Sequence, residues 1–349
     1  MDDVKLRRSD TVEVSGDFKS GFGSFSGSIF RASLLKVERQ LHGDIFIEVR
    51  DWFSRAIRSH LPETEASLGA GYVLGENRTL PSDFDDALRV VGLTHVVVAS
   101  GYNLTILVRL ARRLFVKISR YMAVAAGSTM VLLFVGITGL SPSMTRAGLV
   151  ASISLLAWYY GRKIHPIIIL GIAAAASVLI QPDYAWGDVG WLLSFTAFAG
   201  VMFLAPLLQA YFFGDKKPGI FRQIVGETLS AQILTAPVII FTFGTFSTVA
   251  ILANILVLPL VPLAMLLVFL TGIFTLWLPF LVMVVVQPTQ WLLGYMVEVV
   301  NVLAGVSWAS HEVSWSLSEV LASYIIILLL IIFLAKKTET NFREVNIVN

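Results

Sequence analysis

VVGLTHVVVASGYNLTILV, residues 90–108, is apolar enough to enter a bilayer, yet it sets His95, Ser100, Gly101 and Asn103 into that apolar run with no charge to compensate. Polar groups in lipid are costly unless they face protein or water, so this stretch is expected to be paired, wet or both. Its surroundings place it in a membrane. Of the 349 residues 56% are hydrophobic and 14% charged, well above the apolar share of about 45–50% in soluble domains. The mean hydropathy is +0.76.

Outward from that stretch, candidate spans run over 90–108, 121–140, 143–161, 164–181, 189–213, 223–243, 247–270, 271–287 and 318–335, each near the length that crosses a hydrocarbon core. The fold class is therefore an all-α polytopic membrane protein of about eight or nine segments, some broken or re-entrant. Residues 1–44 form a short polar N-terminal segment in which TVEV at 11–14 alternates like a strand and Ser15 to Phe30 reads as loop or irregular edge. MDDVKLRRSD is not followed by an apolar h-region, so no cleavable signal peptide is expected. Over 45–89 an amphipathic helix from Ile45 to Leu61 and a linker are expected, with Trp52 and Phe53 at the acyl boundary and Arg50, Arg55 and Arg58 at headgroups. Residues 90–335 make the transmembrane domain and 336–349 a tail.

Cations sort the loops. Arg109, Arg112, Arg113, Lys117 and Arg120, then Arg162 and Lys163, then Lys216, Lys217 and Arg222, and last Lys336 and Lys337 fall on one side if each span crosses once and the helix at 291–305 stays peripheral. The positive-inside rule makes that side cytoplasmic, with the N-terminal segment outside. The absence of cysteine excludes disulfides and thiolate chemistry, and the histidines at 42, 60, 95, 165 and 311 form no metal-binding spacing, so no metal or cofactor is expected.

On an ideal helix His95 and Ser100 are five residues apart, on different faces, which argues against a Ser-His pair. An intramembrane serine protease of rhomboid type would also need glycine where Val98 stands. Gly101 permits a helix break, tolerated at membrane depth where it lines a cavity. SPSMTRAGLVAS, 141–152, starts a helix at Pro142, puts Ser143 and Arg146 on one face, and offers small residues at 147, 148, 151 and 152 for close helix approach. Ser194 lies in VGWLLSF, and Gln232 precedes the helix-interior Pro237. Asn254 precedes Pro259 and Pro262, where a second broken span is expected. Two proline-interrupted spans in succession suit a conduit between helices.

Taken in order, GLTHVVVASGYNLTIL, PSMTRA, VGWLLSFTAFAGV and LSAQILTAPVIIFTFGTFSTVAILANILVLPLV resemble the competence domain of the ComEC family of membrane DNA-uptake channels. The resemblance is good over 60–270 and looser over 271–335. It implies a channel for single-stranded DNA across the cytoplasmic membrane, working with other competence proteins: a DNA receptor, a helicase and a nuclease on separate chains. The matching positions are His95, Ser100, Gly101, Pro142, Ser143, Arg146, Ser194, Gln232, Asn254 and Pro259. On the residues alone, Asn103 joins the polar lining, and Arg146, with Arg89 beside it in role, supplies cations. Relative to larger members, SDTVEVSGDFKSGFGSF resembles only the end of their external OB-like domain, and no counterpart of their metallo-β-lactamase-like domain is expected. The competing readings are a small-molecule or ion transporter and a non-conducting remnant of the channel family.

Overall fold

The computed structural model describes residues 11–20, 27–38, 44–76, 80–97, 101–139, 142–162, 164–182, 184, 188–214 and 219–339. The polar N-terminal segment holds an antiparallel hairpin of β1 (Thr11–Ser20) and β2 (Gly27–Glu38). The strand expected over 11–14 thus runs on through residues read as irregular. The register slips between Glu13 and Val14 and again between Ser15 and Asp17. Each slip flips the side-chain alternation, which hides the two-residue period from sequence reading.

The amphipathic helix forms as α1 (Ile45–Arg58), started by Asp44, whose carboxylate accepts the Phe46 N–H at 3.0 Å. Only part of it faces outward: Ile45, Val49 and Trp52 are exposed, while Phe53 is buried. Phe53 fills the notch left by Gly272, where a β-carbon would come within 2.2 Å of its ring, and Phe46 does the same at Gly136. The helix is therefore clamped to the bundle rather than merely resting on it.

The stretch expected as linker holds α2 (Glu63–Leu74) and α3 (Ser82–Val90), followed by α4 (Thr94–Val97) and α5 (Gly101–Phe115). Helix α2 is buried over nearly its whole second half and is the hub of the largest core, with Leu68 and Tyr72 against Val268, Leu293 and Met296. Its glycines explain this. A β-carbon at Gly69 would lie 2.9 Å from Val268, and one at Gly71 only 2.6 Å from the Val97 carbonyl oxygen. From Ala66 on, α2 has apolar or small residues all round, the pattern of a buried helix, but at 12 residues it is too short to announce itself as a span.

The bundle continues with α6 (Arg120–Thr138), α7 (Pro142–Tyr159), α8 (Pro166–Ile180) and α9 (Val189–Ala199), which runs through one π turn, Gly200–Leu204, into α10 (Ala205–Phe213). Then come α11 (Ile220–Phe243), β3 (Thr245–Ser247), α12 (Ala250–Val257), α13 (Val261–Trp277), α14 (Val282–Ala304), β4 (Ser310–Glu312) and α15 (Leu317–Thr338). Among the described residues six stretches are long and apolar enough to cross a membrane: 120–138, 189–213, 222–243, 250–277, 279–304 and 317–338. A polytopic helical membrane protein fits, with fewer clear crossings than the eight or nine expected.

Two boundaries move. The run 90–108 is not one helix, because Val90 ends α3 and Gly92 turns the chain at φ +72° before α4 begins. The peripheral helix expected at 291–305 is the second half of α14, and the break falls near Leu278 instead of after Gln287. QPTQ at 287–290 reads as a polar interruption, but Thr289 is fully buried, donates to the Val285 carbonyl at 2.6 Å and meets the Thr271 hydroxyl at 3.0 Å. Satisfied inside the bundle, those hydroxyls do not stop the helix. The pairing of β3 with β4, Thr245 opposite Glu312 and Ser247 opposite Ser310, returns the chain to the end it left. An even number of crossings must lie between them, which the two stretches 250–277 and 279–304 supply.

Candidate functional site

The polar residues of 92–103 are held in a bent connection. Gly92 adopts the left-handed conformation and lies so close to the start of α12 that a β-carbon would meet Ala250 at 3.0 Å and Ser247 at 3.3 Å. Around this turn the His95 ring N–H donates to the Gly92 carbonyl. Val96 and Val97 are buried, while His95 between them and the turn is exposed. Ser100 lies outside the described residues. Gly101 opens α5, and Asn103, 1% exposed, donates from Nδ2 to the Tyr72 carbonyl at 3.1 Å. Asn103 therefore ties α5 to α2, a different use from the polar lining expected of it.

Pro142 opens α7 as its sequence suggests, Ser143 is half-buried on the first turn, and Arg146 follows one turn later. Met144 and Ala147 are buried, and a β-carbon at Gly101 would lie 3.0 Å from Ala147 and 3.7 Å from Arg146 Nη2. The guanidinium thus sits beside the first residue of α5. On its other side the guanidinium carbon lies 5.7 Å from the Phe195 ring centroid and 5.8 Å from that of Phe198, both on α9. Its Nε is buried without a hydrogen-bond partner, and among the described residues no carboxylate pairs with the side chain.

Helix α9 is fixed at its start by Asp188, which accepts the Trp191 N–H at 2.6 Å, and by the Trp191 indole, which donates to Ser177 at 2.9 Å. At its other end Gly200 brings backbone onto backbone: a β-carbon there would lie 2.4 Å from the Ser230 carbonyl oxygen of α11. Further along α11, Gln232 donates from Nε2 to the Ser247 carbonyl at 3.4 Å. Asn254 on α12 donates to the Ala250 carbonyl at 2.9 Å. Gln232, Asn254 and the Gly92–His95 turn therefore converge on the corner Ser247–Ala250. Pro259 sits in a 3₁₀ turn, Leu258–Leu260, and Pro262 opens α13, so the expected break is present, while Pro237 lies within the continuous helix α11.

Five buried side-chain atoms among the described residues have no partner: Arg146 Nε, Ser194 Oγ, Ser230 Oγ, Gln232 Oε1 and Asn254 Oδ1. Leaving a buried polar atom unmade costs about 1–3 kcal/mol, so such atoms mark water, a passenger or stored strain rather than ordinary packing. Four of the five belong to residues that stand out in the sequence; Ser230 does not. Phe195, Phe198, Gly92, Gly200 and Ser247 were not legible as site residues either, since an aromatic or a glycine in an apolar helix reads as packing. No group of three or more His, Asp or Glu suited to a metal ion occurs among the described residues.

These features define a polytopic helical membrane protein whose interior, among the described residues, holds a guanidinium with a partnerless Nε and several amide and hydroxyl oxygens without hydrogen-bond partners. Residues 72–338, more than three-quarters of the chain, match the family model described as Competence, Competence protein, and the chain belongs to this ComEC family of DNA uptake. The match runs from the last turn of α2 to the end of α15 and contains all four sequence blocks. Comparison with curated proteins and with solved structures gives no match.

Proposed function

We propose that this chain passes single-stranded DNA across the cytoplasmic membrane during natural transformation, with the N-terminal segment outside and the C-terminus in the cytoplasm. The observation that carries the reading is the Arg146 guanidinium, unpaired at Nε and set against Phe195 and Phe198. A cation beside aromatic faces is the combination that takes a phosphate and a base of a single strand without regard to sequence. A planar guanidinium with a partnerless Nε–H also suits phosphate oxygens.

Past this mouth the strand meets groups that bond weakly and interchangeably. His95, Ser194, Gln232 and Asn254 offer donors and acceptors without a second fixed charge, so a phosphate is not trapped after entry. Ser100 and Gly101 follow His95 in the sequence and Ser143 precedes Arg146 on the same helix, and they are assigned to the same path. Asn103 positions α5 from the side. The reading assigns no catalytic step, cofactor or metal to the chain; a DNA receptor, a helicase and a nuclease would be supplied by separate proteins.

Orientation is supported by where the cations gather. Arg112 stacks at 5.2 Å on Trp158 near the end of α7, Arg222 at 4.7 Å on Phe213, and Lys337 at 4.9 Å on Tyr211. Each contact joins helix ends that share one membrane face under the positive-inside assignment. Arg146, at the opposite end of α7, then belongs to the outer half.

A photo-reactive phenylalanine analogue at position 198 tests the passage directly. Illumination of competent cells during uptake of labelled DNA should link the chain to a single strand of that DNA. A link to double-stranded DNA only, or none while uptake proceeds normally, would overturn the proposal.

A further inference from the structure

From Ala87 to Pro182 the chain carries nine Lys and Arg residues and no Asp or Glu. Most of that charge is collected at one place in the fold. On α5 and the turn after it, Arg109, Arg113 and Lys117 follow one another at four-residue spacing and are all exposed. The helical bonding continues through this turn, with Val116 N–H on Arg112 O at 2.9 Å and Ser119 N–H on Phe115 O at 3.1 Å. The three cations therefore form one row. Next to it runs an apolar row at the same spacing: Leu110, Leu114 and Ile118, which are 45%, 61% and 66% exposed. Among the described residues none of the three cations makes an ion pair.

Helix α7 brings a second set of groups to the same end. Its Trp158 holds Arg112 at 5.2 Å, its Tyr159 and Tyr160 rings meet edge to face at 5.2 Å, and Arg162 follows within one turn. Aromatic rings and cations at helix ends are the furniture of a headgroup layer. A cation row beside an exposed apolar row is the arrangement of a helix lying in that layer.

We infer that the α5 end is a binding site for anionic phospholipid, with phosphodiester headgroups on Arg109, Arg113 and Lys117 and acyl chains over Leu110, Leu114 and Ile118. The apolar row selects lipid over nucleic acid, because a DNA strand offers the cations phosphates but leaves three large aliphatic side chains in water. Helix α5 has 15 residues, about 22 Å, so it does not by itself reach both membrane faces. Lipid held at its far end fixes the depth of its first residue, Gly101, against Ala147 and Arg146.

The test mixes the full chain in mild detergent with equal amounts of phosphatidylglycerol and phosphatidylcholine of matched chains and counts retained lipids by native mass spectrometry. The wild type should keep the anionic lipid in preference, and that preference should fall about fivefold for each cation removed in Arg109→Gln, Arg113→Gln and Lys117→Gln, singly and together. Arg109→Lys with Arg113→Lys should keep it, and high salt should weaken it in the wild type. Equal retention of the two lipids by the wild type, or an unchanged preference in a triple Gln variant that keeps its thermal transition, overturns the assignment. Displacement of the phosphatidylglycerol by a single-stranded oligonucleotide does so too, giving the row to nucleic acid instead.

Discussion

Replacing Arg146 by Met removes the charge and the planar fork while keeping most of the side chain's length. On the folding side, two guanidinium–ring contacts at 5.7 and 5.8 Å are lost. Together they are worth about 1–4 kcal/mol at partly desolvated sites. Against that, the buried Nε without a partner disappears, which returns about 1–3 kcal/mol. The thioether restores some contact with the rings, about 0.3–1.5 kcal/mol each. At mid-range values the opposing terms cancel to within about 2 kcal/mol, and even the least favourable combination costs only about 2–3 kcal/mol, so the variant should insert and fold. On the passage side nothing compensates: a charge-assisted bond to phosphate is worth about 1.5–3 kcal/mol, roughly a 10- to 150-fold slower entry. The assay is uptake of labelled DNA into a nuclease-protected state, normalised to the amount of chain in the membrane. Arg146→Lys keeps charge without the fork and should retain part of the rate. Wild-type uptake by Arg146→Met, or loss of folding in it and in Arg146→Lys alike, would refute a guanidinium held for a passenger.

Two amides of the bundle should behave in opposite ways. Asn103→Ala strips the bond from the Tyr72 carbonyl, a buried acceptor, and should lower stability by about 1–3 kcal/mol in thermal unfolding. Gln232→Leu gives up a long 3.4 Å bond and removes the orphaned Oε1, so stability should hold within about 1 kcal/mol while uptake falls. Gly71→Ala and Gly200→Ala each drive a methyl group into a backbone carbonyl, at 2.6 and 2.4 Å respectively. Each should cost at least about 1–3 kcal/mol, seen as a lower melting temperature in detergent; unchanged melting would mean that the helices can separate at no cost.

Much of the candidate site could be read without a structure, for a definite reason. A guanidinium, an amide or a hydroxyl in an apolar helix conflicts with its solvent whatever the neighbours are, so Arg146, Ser194, Gln232 and Asn254 stood out before their surroundings were known. Asn103 stood out equally, and there the structure supplies the partner that the sequence could not, on a helix 31 residues away. Phe195 and Phe198 were silent because their role depends on which helix lies opposite. The hairpin register, the burial of α2 and the division of 261–304 at Leu278 were hidden in the same way. In each, a local signal of bulges, short length or a Gln-Pro-Thr-Gln interruption is overruled by contacts distant in sequence.

By itself, then, the sequence determined that the chain lives in a membrane as a helical bundle of the Competence family, because hydrophobic content and ordered polar motifs are properties of short segments. Only the tertiary structure decided which polar atoms remain without partners. It packs Arg146 against two phenylalanines and leaves its Nε bare, and it gives Asn103 a carbonyl. Satisfaction of a hydrogen bond is a relation between two places on the chain, and no single stretch contains it.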